Sequence, residues 1–347
     1  MSAQFVHLSL HTEYSLVDGL IRIKPLMEAV ADQGMPAVAL TDQNNLFAMV
    51  KFYRAAIAKG LKPIFGAELT LAAEGEATGG FRVLLLCLDH AGYLNLSKLI
   101  SRAYQEGQQQ GDSPRIEREW LVEHQAGLIA LSGGVDGEIG QCLLSGNEQA
   151  LAEAVRFWRE TFDQRFYLEL HRTGRENETR YIEAAVALAE REGLPVVATN
   201  DVRFLRKRDF TAHEARTCIH DGYVLADSKR PRRYSEEQYL KSPEEMAELF
   251  SDLPEALENT VAIARRCTVM LELGHNVLPD FPVPEGMSEA EYFADEARKG
   301  LTQRLEVLFP PDETEDREAR IQPYLERLET ELDVIIQMGF PGYFLIV

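Results

Sequence analysis

Short, almost unbroken apolar runs alternate along this chain with longer stretches in which apolar residues return every three or four positions. The runs lie near residues 5–11, 36–41, 62–71, 81–88, 127–132, 165–171 and 195–200. Their brevity and their Gly and Pro boundaries predict buried strands. Between most of them the 3.6-residue period predicts helices over 44–59, 91–105, 147–161 and 177–192. Strands alternating with helices imply an α/β class, with mainly parallel strands in a sheet or barrel.

Two units repeat one pattern. In 34–42 and 193–201, Gly34 or Gly193 ends a helix and Pro36 or Pro195 forbids its continuation. A short apolar run follows, and Asp42 or Asp201 stands at its carboxyl end. Both aspartates are expected on the face that carries the chemistry in α/β barrels, where they can meet the N-terminal histidines.

The pattern changes after about residue 205. Helices are predicted over 209–220 and 235–267, with Ser242 before Pro243, Glu244 and Glu245 as a capped start. The Pro-rich stretch 278–286 reads as an extended linker. Helices follow over 288–308 and 314–338, then an apolar, strand-like run at 339–347. Such a run at the last residue leaves an unpaired edge, so the chain is expected to be cut inside a second domain.

A chain of 347 residues, 45% of them hydrophobic, can bury one large core and part of another. No basic segment followed by an apolar run opens it, and no run of about 18 apolar residues occurs, so a cytoplasmic protein without membrane contact is expected. Cys87, Cys142, Cys218 and Cys267 are far apart and read as buried thiols. A net charge of −20 argues against independent nucleic-acid binding. Two basic clusters, Arg203 with Arg206, Lys207 and Arg208, and Lys229 with Arg230, Arg232 and Arg233, are either phosphate contacts or solvated loops.

The candidate chemistry begins at the first strand. Residues i and i+2 share a face there, so His7, Ser9 and His11 project together, and Asp18 can return to them after a turn. This is the layout of a metal site with a hydroxyl where an imidazole is expected. His7 is equally read as a hydrogen-bonded core histidine. Ser132 lacks a G-x-S-x-G setting, and Gly133 and Gly134 read as a tight strand-end turn. His171, His213 and His220 offer a weaker second metal reading without a tight i, i+4 pair.

Residues 7–19, Thr41-Asp42, 62–68, 131–134, 198–201 and 339–344, taken in order, resemble the N-terminal part of the bacterial replicative DNA polymerase III alpha family. The resemblance covers essentially the whole chain. It implies a PHP (polymerase and histidinol phosphatase) domain, a distorted seven-stranded β/α barrel, over 1–275. A linker at 276–287 and a mainly helical start of the polymerase palm region at 288–347 would follow. The catalytic aspartates would lie beyond Val347, so no polymerase catalysis is expected within these residues.

Active PHP domains hold up to three metal ions. Carried over by motif, the ligand positions are Ser9, His11, Asp18, Gln43, Glu68, Arg82, Gly134, Asp201 and Arg203. His11, Asp18, Glu68 and Asp201 keep ligand chemistry; Ser9, Gln43, Arg82, Gly134 and Arg203 do not. The resemblance therefore implies a vestigial site with no metal, in which Arg82 and Arg203 replace the lost charge. Solvent exposure of Arg203 with its basic neighbours is the other reading. The implied role is a scaffold docking the proofreading exonuclease (epsilon) subunit. The longer family chains would also meet the sliding clamp, the clamp-loader tau subunit and primer-template DNA, and use Mg²⁺ for DNA-directed synthesis. The alternative is an active metal-dependent phosphoesterase, a pyrophosphatase or 3′–5′ exonuclease, holding an ion through His11, Asp18, Glu68 and Asp201.

Overall fold

The computed structural model describes residues 5–73, 79–108, 113–275, 279–310 and 316–347. The chain forms two compact units, Met1–Leu271 and Glu272–Val347. In the first, one sheet runs in sequence order through β1 (Ala37–Leu40), β2 (Lys62–Leu71), β3 (Phe81–Cys87), β4 (Leu128–Leu131), β5 (Phe166–His171) and β6 (Val196–Thr199). The pairs β1–β2, β4–β5 and β5–β6 are parallel, as the alternation with helices predicts. β3 departs from the pattern and is antiparallel to both neighbours. Only residues 72–80 join it to β2, too few for the crossover that a parallel pair requires.

The run at 5–11 does not form a seventh ladder. It is extended backbone tied to both edges of the sheet. Toward β1, Ala39 N donates to His7 O (2.9 Å) and Thr41 N to Leu10 O (3.1 Å). Toward the chain leaving β6, Val202 N donates to Ser9 O (3.1 Å), and His11 N donates to Val202 O (2.8 Å). The segment draws the two edges together, so six strands and a bridging segment take the place of the expected seven-stranded barrel.

Helices α1 (Ile23–Asp32), α2 (Met49–Ala58), α3 (His90–Gln105), α4 (Arg118–Glu123), α5 (Glu138–Ser145), α6 (Glu148–Phe162) and α7 (Glu178–Glu192) are interspersed with the strands. Each buries one stripe; α2 turns Met49, Phe52 and Ala56 inward. Then come α8 (Phe210–Asp221), α9 (Pro243–Leu249) and α10 (Pro254–Arg266), the last packed on β6. The single helix expected over 235–267 is thus two helices preceded by non-helical residues 235–242. Pro254 lacks the N–H that would extend a preceding helix, and it suits the first turn of a new one. Ser242 and Glu245 cap α9 reciprocally.

The second unit holds α11 (Glu289–Leu308), α12 (Arg317–Gln337) and α13 (Pro341–Ile346). Residues 279–287 are non-helical. Residues 276–278 of the expected linker, and 314 and 315 of the long helix expected after it, lie outside the described residues. The strand expected at 339–347 is instead α13. Gly339 turns the backbone at φ 73°, and Pro341 pre-sets a helical φ in the first turn. Phe344 then packs on Phe293 of α11, ring centroids 5.8 Å apart.

Candidate functional site at the rim of the sheet

The parallel strands deliver their carboxyl ends to one rim. β3 runs the other way, so its beginning meets that rim as well: Arg82 lies opposite Thr70 near the end of β2. His11 arrives by the bridging segment, and Asp201 and Arg203 follow β6. Asp201 sits at φ 43°, a left-handed conformation that turns the chain just after the strand. That turn, rather than strand alternation, brings Arg203 back onto Asp201.

These side chains converge with those of Glu68, Asp18 and Ser9. His11 Nε2 lies 3.1 Å from Glu68 Oε2 and 3.8 Å from Asp201 Oδ1. Arg82 places Nε 2.7 Å from Glu68 Oε2 and Nη2 2.9 Å from Asp201 Oδ1, and the same Nη2 is 3.3 Å from Ser9 Oγ. Arg203 donates to Asp201 Oδ1 through Nη2 (2.8 Å) and Nε (3.1 Å), and to Asp18 Oδ2 through Nη1. Removal from water alone would raise the Glu68 carboxyl, but Arg82, His11 and Arg203 beside it hold it down to about 2. The same contest, won by Arg203 and Arg82, holds Asp201 well below the carboxylate range. Burial pushes both guanidinium groups down, and the acids around them more than reverse it.

Asp42, expected on this face with the N-terminal histidines, and residues that are not candidates in the sequence complete the cluster. Asp42 accepts from Thr12 N (2.6 Å), Thr12 Oγ1 (2.7 Å) and Ser15 Oγ (2.7 Å). With its proton committed to Asp42, Ser15 Oγ accepts from His11 Nδ1 at 2.9 Å and so orients the ring. Burial raises Asp42 despite these donors. Gln238 Nε2 donates to Asp201 Oδ2 (2.8 Å), and Tyr234 OH to Asp18 Oδ2 (2.8 Å). Ser15 is four residues after His11 and could be sought there; Tyr234 and Gln238 come from a distant loop with no local signal.

An open cleft of about 830 Å³ lies over the cluster, lined among others by Asp18, Gln43, Glu68, Arg82, Asp201 and Arg203. Gln43 also joins through its backbone, its N–H donating to Ser15 Oγ (3.2 Å). Gly134 stands at φ 61°, and a Cβ there would fall 2.5 Å from His171 Nδ1. The His171 ring thus fills the space of any side chain at that position. Its Nε2 faces the buried carboxylate of Glu169, 3.1 Å away.

The remaining candidates add no side-chain ligand to the charged cluster. His7 is buried against the Lys241 carbonyl (2.9 Å), and burial lowers it to about 4. His213 Nε2 meets the Asp18 carbonyl at 2.9 Å, and His220 is exposed beside Asp221. Among the described residues, the one His/Cys/Asp/Glu group with ligand atoms near enough to ring an ion is His11, Glu68 and Asp201, all within 4.8 Å of one another. Ser132 is buried, its Oγ accepting from Glu169 N (2.9 Å), and Gly133 takes a left-handed turn at φ 78°. All four cysteines are free and buried. In the basic clusters, Lys207 pairs with Glu237, Arg230 with Glu214 and Arg233 with Asp221.

Residues 7–173 match the PHP domain family, and residues 291–347 match the family described as the bacterial DNA polymerase III alpha NTPase domain. Over 347 residues the chain is 56% identical to the DNA polymerase III subunit alpha of Pseudomonas aeruginosa, and over 344 residues 52% identical to that of Escherichia coli K12. The chain is thus similar along essentially its whole length to DNA polymerase III alpha subunits. It spans 29% of the length of each of those two relatives. The PHP match ends at Thr173, so Asp201 and Arg203 of the cluster lie outside it. A solved amidohydrolase of Chromobacterium violaceum, with bound sulfate and no metal, aligns at a TM-score of 0.39 and 14% identity, over 57% of this chain and 87% of that one. No helix among the described residues is long and apolar enough to cross a membrane.

Proposed function

We propose that this chain is the N-terminal part of a cytoplasmic replicative polymerase subunit whose PHP domain has exchanged its metal ions for arginines and serves as a scaffold. The PHP domain takes 1–275, a linker 276–287, and the start of the palm 288–347. The longer chain extends primers on template DNA with Mg²⁺. Its PHP domain docks the proofreading exonuclease subunit, while later regions meet the sliding clamp and the clamp-loader tau subunit. The polymerase part of this reading rests on identity to the two alpha subunits along the whole chain.

The observation that carries the scaffold reading is the occupancy of two oxygens. Glu68 Oε2 and Asp201 Oδ1, which with His11 could ring an ion, lie 2.7 and 2.9 Å from guanidinium nitrogens of Arg82. An ion placed there would displace that group and be repelled by both arginines, so the residues present do not fit a metal. The deciding experiment is elemental analysis after dialysis against metal-free buffer, with melting curves in added Mn²⁺ and Zn²⁺. An ion that binds the folded chain raises its melting temperature by mass action. No stoichiometric metal and no shift support the exchange; a retained ion with a clear upward shift overturns it.

The nearness of His11, Glu68 and Asp201 favours one second reading, a phosphoesterase holding a single ion. Release of phosphate from pyrophosphate or of nucleotides from a DNA 3′ end, abolished by Asp201→Asn, would establish it. Direct titration of the exonuclease subunit onto the chain tests docking separately.

A further inference from the structure

Between Asp42 and Glu68 the chain carries no acidic residue, although 56 of its 347 residues are Asp or Glu. The gap holds Lys51, Arg54, Lys59 and Lys62, and α2 lies inside it. The inward stripe of α2 is Met49, Phe52 and Ala56. Its opposite face presents Val50 (45% exposed) and Ile57 (48%), with exposed Arg54 between them. Phe47, one turn before Val50, is 65% exposed. Spacings of three, four and three residues place these side chains in one row.

The row is held rather than loose. Buried Asn45 donates to the Tyr14 and Gln43 carbonyls, both at 2.9 Å, and its Oδ1 accepts from Phe47 N at 3.1 Å. The turn that presents Phe47 is therefore fixed before any partner arrives, which lowers the ordering cost of binding. Lys51 leans on the Tyr14 ring, 5.4 Å from its centroid, and Lys62 donates to the Ala264 carbonyl. Arg54 and Lys59 have no acidic partner among the described residues.

We infer that the outer face of α2 is a docking surface for a protein segment that is itself amphipathic and acidic, an exposed helix with a Leu or Phe stripe flanked by Glu or Asp. The apolar row sets the class of partner. A nucleic-acid backbone rewards cations and stacked aromatics, and gains little from Val50 and Ile57. Unpaired Arg54 and Lys59, in a chain of net charge −20, set its sign. This surface is separate from the arginine–carboxylate cluster and does not depend on whether that cluster holds a metal.

The test uses the intact chain and three fluorescent probes: a helical peptide with a Leu stripe and Glu flanks, the same peptide with Lys for Glu, and an oligo-dT strand. The Glu peptide should bind, weaken with added salt, and lose roughly tenfold in affinity with Arg54→Glu/Lys59→Glu and again with Ile57→Ser. All three substitutions are on exposed positions, and an unchanged melting temperature confirms that the variants fold. Undiminished binding of the Glu peptide to both variants overturns the assignment, as does stronger binding of the Lys peptide. Oligo-dT binding lost in the same variants would make this a nucleic-acid surface. Self-association of the chain abolished by Ile57→Ser would make it an interface between copies, and either result overturns the proposal.

Discussion

Arg82 and Arg203 share one oxygen: Asp201 Oδ1 lies 2.9 Å from Nη2 of the first and 2.8 Å from Nη2 of the second. Two cations held this close require the surrounding acids, and the acids require them. Arg203→Ala leaves Asp18 and Asp201 buried without one of their cations, which should cost roughly 3 kcal/mol or more. Urea denaturation measures it, and an unchanged midpoint would sink the charge-replacement reading.

Gly134 and His171 compete for one volume. Gly134→Ala adds a Cβ 2.5 Å from the ring and also strains a backbone at φ 61°, so a loss of about 2 kcal/mol or more is expected. Removing the ring as well should recover the steric part and leave the backbone part. A double-mutant cycle of Gly134→Ala with His171→Ala reads that coupling directly; strictly additive losses would show that the ring yields freely.

Acid should strip the cluster of its stabilising charge. Glu68 falls from 4.5 to about 2 on folding, so its contribution is present above about 4.5 and is lost as pH drops toward 2. Asp201, also depressed, acts in the same direction. Denaturation midpoints measured across that window should fall steeply for the wild-type chain. The slope should be shallower in Arg82→Gln, where Glu68 loses its nearest cation.

His7 predicts a second and milder window. Its imidazole is 6.5 unfolded and about 4 folded, because burial penalises the charged form. The unfolded chain therefore binds the proton first, and stability declines as pH falls from 6.5 to 4, by on the order of 3 kcal/mol at most. His7→Gln should flatten this part of the profile. An identical slope in the variant would assign the decline to other groups.

The strands are the most legible part of the sequence, since runs such as Leu84-Leu85-Leu86 are buried on both faces and need no partner to be recognised. Helices α1, α4 and α5 escape the periodic reading. α4 is only six residues long, and Gly140 interrupts the apolar period of α5. Reversal of β3 follows from the length of a connection rather than from any residue in the strand. In the cluster, His11, Glu68 and Asp201 are marked by their neighbours in sequence. Ser15, Tyr234 and Gln238 act through contacts that only the assembled fold creates, and a hydroxyl or amide carries no sign of its partner. Arg203 is readable as a cation near Asp201, but the left-handed turn that seats it is not.

The bridging segment at residues 5–11 has a consequence for synthesis. Its backbone partner Val202 is made almost two hundred residues later, and Lys241, which meets His7, later still. At roughly 5–20 residues per second, this apolar stretch waits on the order of ten seconds or more after its own synthesis for the chain that closes over it. Until then its unpaired edge is open to other partners, so the nascent chain is exposed to misassembly at this segment.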